Sequence, residues 1–315
     1  MPQNNSPVLK PAPVQPLASD LFTAAGVELL VKREDLIDPE LGGNKWHKLK
    51  YNLQAARQQG KRTLLTFGGA WSNHIYATAA AGKRLGFNTI GVIRGEQHTP
   101  QNPTLSFARE CGMQLHHVDR QAYRDKNSLA FIQQLQQHFG DFYLIPEGGN
   151  NALAMQGCRE LARDIAQPYD VITCACGTGT TLAGISLGLK PHQTAMGFAV
   201  LKGGEFLRDE IRHMLSTGTS TLHTNWQLET GYHFGGYARC NETLLNFMRD
   251  FERDFGFALD AVYTAKMFYG VFDMIKQGQF KPGTRILALH SGGLQGNAGF
   301  VEKINYPQMN ADKHG

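Results

Sequence analysis

Cysteine is scarce and odd in number. The five residues Cys111, Cys158, Cys174, Cys176 and Cys240 fit neither a zinc-ligand spacing nor a disulfide framework. That argues against a small stapled secreted scaffold and points to a reduced, cytoplasmic compartment. No apolar run is long enough to span a bilayer, and the polar start Met1-Pro2-Gln3-Asn4-Asn5-Ser6-Pro7 lacks a signal-peptide core. The net charge is only +4 and forms no basic tract, which argues against a nucleic-acid partner. Histidines number 12, yet no H-E-x-x-H or Cys–His pair occurs, so no metal is expected. No internal repeat is evident. What the chain has is length for one large domain or two ordinary ones, 42% apolar residues, and 35 glycines in 315 residues.

The hydrophobic pattern alternates. Residues 7–17 carry four prolines and read as an irregular extended arm. Short apolar runs predict strands over 27–32, 63–67, 88–94, 114–118, 142–145, 170–176, 194–201 and 285–290. Helical spacing predicts helices over 45–59, up to Gly86, and over 103–111, 127–138, 151–166, 180–188, 244–255 and 262–276. Strands separated by helices give an α/β protein with mostly parallel sheets. Two strand–glycine–helix sites far apart in the chain suggest two lobes. Double glycines stand at 42–43, 68–69, 148–149, 203–204, 235–236 and 292–293, several of them after a strand. Ligands sit at the carboxyl ends of strands in open α/β sheets, so several of these pairs are expected to line one cleft.

Four stretches carry the chemistry. Cys176-Gly177-Thr178-Gly179-Thr180-Thr181 joins a buried strand to a helix start. Accessible backbone N–H groups, the helix's positive end and threonine hydroxyls suit a phosphate. It has neither the Gly-Lys-Ser/Thr of a P-loop nor the third glycine of the dinucleotide fingerprint, so the phosphate belongs to a small cofactor. Gly68-Gly69-Ala70-Trp71-Ser72-Asn73-His74 makes a second anion site suited to a carboxylate, or else a plain N-cap. Leu287-Ala288-Leu289-His290-Ser291-Gly292-Gly293 ends a strand where Ser291 can approach a ligand ring, or is an ordinary turn. Gly42-Gly43-Asn44-Lys45-Trp46-His47-Lys48-Leu49-Lys50 taken alone is a basic turn into a helix. With a phosphate site and a carboxylate site elsewhere, Lys45 becomes a candidate covalent amine. Gly184-Ile185-Ser186-Leu187-Gly188 matches G-x-S-x-G, but its serine falls inside a helix, which argues against a hydrolase elbow. A phosphate, an aldehyde for a lysine and an amino-acid carboxylate together describe pyridoxal phosphate and its substrate.

At this point the residues resemble a known family, the pyridoxal-phosphate enzymes that include aminocyclopropane-carboxylate deaminase and D-cysteine desulfhydrase. The motifs run through Lys32-Arg33-Glu34-Asp35, Gly42-Gly43-Asn44-Lys45, Ser72-Asn73-His74, Pro146-x-Gly148-Gly149, Gly177-x-Gly179-Thr180-Thr181, Val262-Tyr263-Thr264-x-Lys266 and His290-Ser291-Gly292-Gly293. The resemblance implies the tryptophan-synthase β type of fold (fold type II): two open twisted, mostly parallel sheets flanked by helices, with the cofactor between domains. A large cofactor-binding domain would comprise 1–54 and 151–315, and a small inserted one 55–150. A homodimer is implied. Lys45 would be the Schiff-base lysine. Residues Gly177, Thr178, Gly179, Thr180 and Thr181 would hold the phosphate, and Asn73 the ring hydroxyl oxygen. Ser72, Asn73 and His74 would meet the substrate. Tyr263 and Tyr237 would stand in the active site, with Thr264 facing the pyridine nitrogen and Ser291 beside the ring.

Deaminases of this family carry glutamate and leucine at the positions of Thr264 and Ser291, whereas desulfhydrases carry hydroxyls. A neutral partner makes a weaker electron sink than a carboxylate would, and elimination of a good leaving group tolerates that better than ring opening does. The expected reaction is therefore α,β-elimination from D-cysteine or a β-substituted relative to pyruvate and ammonia. Freed Lys45 would take the α proton. Aminocyclopropane-carboxylate deamination is the alternative, followed by a racemase on the same cofactor and by a non-catalytic binder of a phosphorylated metabolite. Trp46 and His47 stand where relatives usually have Thr-Arg, and Trp71 replaces a glutamine. Trp71, next to the carboxylate loop, is expected to reshape the pocket.

Overall fold

Short β-rich runs and helical stretches alternate along the chain, and in the computed structural model they assemble into two sheets. The structure describes residues 9–97, 101–217 and 223–300; the polar start read above, residues 1–8, lies outside them. In chain order the elements are β1 (Val14–Leu17), α1 (Asp20–Ala25), β2 (Glu28–Arg33), α2 (Asn44–Gln58), β3 (Thr63–Gly69), α3 (Asn73–Leu85) and β4 (Asn88–Arg94). There follow α4 (Pro103–Glu110), β5 (Gln114–Val118), α5 (Leu129–Phe139), β6 (Tyr143–Ile145), α6 (Ala152–Arg163), β7 (Val171–Cys176) and α7 (Thr180–Gly188). The last are β8 (Thr194–Ala199), α8 (Leu207–Ser216), β9 (Trp226–Glu229), α9 (Glu242–Phe255), α10 (Thr264–Lys276) and β10 (Arg285–His290). Beyond the elements expected from the sequence, the chain forms β1, α1, α8 and β9. The proline-bearing arm pairs as β1, antiparallel to β2 with Val14 opposite Lys32.

The larger sheet has the order β1-β2-β10-β7-β8-β9, parallel except for β1; the smaller, β5-β4-β3-β6, is wholly parallel. Parallel neighbours need crossovers, which the helices supply. Side chains alternate across the larger sheet. Ile286 and Ala288 join α9 and α10 in one core; Leu287 and Leu289 join α6, α7 and α8 in the other. This period of two makes β10 apolar from Ile286 to Leu289, as a strand buried on both faces must be. In the smaller sheet Leu64 packs with Leu49, Leu53 and Ala56 of α2, while Leu65 and Phe67 pack toward Leu135 of α5. Helix α2 therefore touches the smaller sheet on one side. On its other side it approaches α6 so closely that a Cβ on Gly157 would overlap the His47 carbonyl.

Candidate active site

The carboxyl ends of β3 and β7 face one cavity of about 570 Å³, and the first turns of α2, α3 and α7 reach it. Its lining includes Asn44, Lys45, Lys48, Ser72, Asn73, His74, Gly177, Thr178, Gly179, Thr181, Tyr237, Tyr263 and Ser291. Three helix N-termini give the cavity a positive potential. That polarity makes the placing of Lys45 and Lys48 in the first two turns of α2 costly, since cations disfavour this end of a helix. A helix built for stability alone would not carry them there.

Lys45 Nζ donates to Asn44 Oδ1 at 2.8 Å, and Asn44 Nδ2 donates to Thr181 Oγ1 at 2.9 Å. The same amide thus ties the lysine to the glycine–threonine loop. Burial, with the Lys48 ammonium next in weight, lowers the Lys45 pKa to about 7. About half the amine is then neutral at pH 7, against roughly one in 2,500 for an unperturbed lysine. Lys48 is buried, its pKa is lowered by desolvation, and its Nζ donates to the Gly148 carbonyl at 3.1 Å. One carbonyl leaves ammonium donors over for an anion.

The loop from β7 to α7 is a cradle that only glycine permits. Gly179 has φ 73°, and a Cβ there would meet Ile211 Cγ1 at 2.6 Å; a Cβ on Gly177 would press on the Tyr263 ring at 3.3 Å. Thr180 is fully buried, outside the lining, and its hydroxyl donates to Asn150 Oδ1 at 2.9 Å, so its contribution to the cradle is its backbone. At the β3–α3 turn, Ser72 caps α3 by accepting from Ile75 N. Asn73 Oδ1 accepts from Gln295 Nε2 at 2.7 Å, which fixes the amide plane.

His74 has an assignable tautomer. Thr66 Oγ1 donates to Ile145 O at 2.8 Å, so at 3.0 Å it accepts from His74 Nε2. Nδ1 is then an unprotonated lone pair, buried and without a partner among the described residues. Burial and the two lysines hold His74 well below its ordinary pKa, so the ring is neutral.

Tyr237 and Tyr263 line the cavity together, their rings edge-on with centroids 6.0 Å apart. Burial raises both pKa values, and both phenols stay protonated. Tyr263 is placed by Asp260, whose Oδ1 accepts from Tyr263 N and Thr264 N at the start of α10. Burial raises Asp260 to about 7. Thr264 lies outside the lining: it is fully buried, and its hydroxyl is spent on Asp260 N at 2.7 Å. Of the two hydroxyls expected beside a ligand ring, Ser291 alone lines the cavity.

Two of the six glycine pairs line this site, and a third, 42–43, packs against the segment of a fourth. Gly69 and Gly148 line the cavity, and 42–43 packs on 291–292, where a Cβ on Gly43 would overlap the Ser291 carbonyl oxygen. The pairs 203–204 and 235–236 do not line it. The tryptophan expected to reshape the pocket does not line it either. Trp71 packs its ring against Gly299. Trp46 lies against the α2–α3 core, and His47 Nε2 meets Glu34 Oε2 at 2.8 Å. Ser186 is buried within α7 and donates to the Ala183 carbonyl, with no turn to expose it as a nucleophile. Lys48, Asn44, Asn150 and the mouth residues Arg94, Lys126 and Glu147 are lining residues not expected from the sequence. The sequence signals for Lys48 were its place in the basic stretch and its spacing from Lys45, close enough to lower the pKa of that amine.

The donor set therefore fits a phosphate at 177–181 with Lys48, an aldehyde at Lys45 and an aromatic ring between Asn73 and Ser291. The comparisons point the same way. The family described as "Pyridoxal-phosphate dependent enzyme" matches residues 6–292. A Pyrococcus furiosus protein provisionally named 1-aminocyclopropane-1-carboxylate deaminase is 31% identical, over 93% of this chain and 92% of its own. The bifunctional D-cysteine desulfhydrase/1-aminocyclopropane-1-carboxylate deaminase of Arabidopsis thaliana mitochondria is 32% identical, over 86% of this chain and 73% of its own. The crystal structure of a homologue of 1-aminocyclopropane-1-carboxylate deaminase superposes with TM-score 0.83 at 28% identity, covering 94% of each chain.

Proposed function

The chain belongs to the pyridoxal-phosphate-dependent enzymes, as a lyase with the tryptophan-synthase β type of fold, and from that premise we propose that it eliminates the β-substituent of a small amino acid, D-cysteine or a close relative. The observation that carries the reading is Lys45: an amine with pKa about 7, held by Asn44 between a phosphate cradle and a second anion site.

In this reading residues 177–181 and Lys48 hold the cofactor phosphate, Asn73 its ring hydroxyl oxygen and Ser291 the edge of its ring, with Lys45 as the anchoring amine. When bound, pyridoxal phosphate supplies an aldehyde and a conjugated ring that takes electron density from the substrate α carbon. The N–H groups at the start of α3, with Ser72 and His74, receive the substrate. The His74 Nδ1 lone pair accepts from a substrate donor. Lys45 Nζ, freed by the substrate amine, takes the α proton. Tyr237 and Tyr263, protonated across the working pH range, donate toward the departing group. With D-cysteine the β C–S bond breaks, sulfide leaves, and the enamine takes up water to give pyruvate and ammonia.

The hydroxyl of Ser291, the one of the two expected hydroxyls that lines the cavity, supports elimination over ring opening. The deaminase names carried by several relatives support the second reading, aminocyclopropane-carboxylate deamination. A panel of D- and L-amino acids plus aminocyclopropane carboxylate separates the two. Sulfide and pyruvate from D-cysteine are expected. Release of 2-oxobutyrate from the cyclic substrate without sulfide from D-cysteine would replace the first reading with the second. We propose a homodimer with two lobes, 55–150 forming the smaller.

A further inference from the structure

Lys266 is fully buried on α10, outside the cavity lining. Desolvating an ammonium costs several kcal/mol unless partners compensate. Among the described residues its Nζ makes one hydrogen bond, to the Gly236 carbonyl at 2.6 Å. Burial lowers its pKa to about 8, against a favourable field from Asp260. A methionine would fill the same space at less cost, so the amine is there for Gly236.

Gly236 precedes Tyr237 in a segment of unusual backbone. Phe234 and Ala238, at φ 51° and 52°, are the only non-glycine residues with positive φ among the described residues; Gly235 and Gly236 lie at 91° and 112°. Such strain persists where the surroundings over-determine it. Those surroundings come from one face of α10. Tyr232 donates to Asp273 Oδ2 at 2.9 Å, the Phe234 ring packs edge-on against Tyr269 at 4.9 Å, Lys266 holds Gly236, and Tyr263 meets Tyr237.

We propose that Lys266 is a positioning residue that fixes Tyr237 in the cavity through the Gly236 carbonyl. The proposal rests on the elimination reading for the task of Tyr237, though not for its placement. Lys266→Met removes the donor and keeps the volume. Two readouts on the holoenzyme test it. With 3-fluorotyrosine incorporated at the 10 tyrosines, the ¹⁹F resonance identified by its loss in Tyr237→Phe should shift in Lys266→Met. With D-cysteine, kcat should fall about 10²-fold, the scale expected when a reacting group is displaced by about 1 Å. In a Tyr237→Phe background the same change should alter kcat by no more than about twofold, because the two residues act as one. A structural role alone would leave the resonance in place and make the two losses multiply, and either result overturns the proposal. Should Lys266→Met not fold, Lys266→Gln, which keeps an N–H donor on a shorter stem, is judged by the same readouts, with smaller changes expected. If no substrate of the panel turns over, the elimination reading falls and the resonance alone decides the role of Lys266.

Discussion

Lys45 and Lys48 stand one turn apart in α2, yet what each touches divides their tasks. Lys45 meets an amide that ties it to the 177–181 loop; among the described residues Lys48 Nζ donates to the Gly148 carbonyl. Lys45→Ala is expected to abolish both the visible absorption of the cofactor-loaded protein and turnover. Lys48→Ala should keep the absorption at saturating cofactor and weaken its Kd roughly tenfold to a hundredfold, the worth of about 1.5–3 kcal/mol for a charge-assisted hydrogen bond. Titration of the apoprotein followed by absorbance checks both. The pH dependence has a definite sign. The neutral amine is the reactive form, and Lys45 loses its proton as pH rises through about 7. Cofactor capture by the apoprotein should therefore climb with pH up to about 7 and level off above it; a rate still climbing beyond pH 9 would mean an ordinary lysine. Ser72, Asn73 and Lys45 were legible because each lies in a local strand–glycine–helix or glycine–lysine pattern. The contact of Lys48 with Gly148 was not, because that carbonyl lies 100 residues away. The capture of the Thr264 hydroxyl by Asp260, four residues back, was local but competes with the family pattern.

Among elements, those with strong periodicity came through: the expected bounds of β4, β5, α7 and β10 coincide with the observed ones. β9, Trp-Gln-Leu-Glu, has one buried residue and too little pattern to announce itself. α1 is six residues long, and β1 contains Pro16, whose missing N–H is tolerated because β1 is an edge strand. α8 did carry a signal, Leu207, Ile211 and Leu215 at spacing of four, all buried. How helices cross is not written in such local patterns. The close crossing of α2 and α6 depends on Gly157 under the His47 carbonyl. Gly157→Ala should cost about 1–3 kcal/mol of stability through overpacking, read as a lowered denaturant midpoint with an unchanged slope. At the cradle, Gly179→Ala faces both a left-handed backbone and Ile211, and should lose cofactor affinity before it loses fold.

At the scale of the molecule, the α/β class and mostly parallel sheets followed from alternation of strands and helices. The strand order did not, because β2 and β10 pair across more than 250 residues through main-chain hydrogen bonds that no local pattern encodes. The cavity likewise exists only once α2, α3, α7 and the Tyr237 segment converge, and that convergence excludes Trp71 from a pocket it neighbours in sequence. The account stands on one lysine serving as the covalent anchor at that meeting point. Borohydride reduction of the cofactor-loaded protein, followed by digestion and mass spectrometry, locates the anchor directly. One modified peptide per chain, with the cofactor fixed on Lys45, is the predicted result; modification on Lys48, or spread over several lysines, would contradict it.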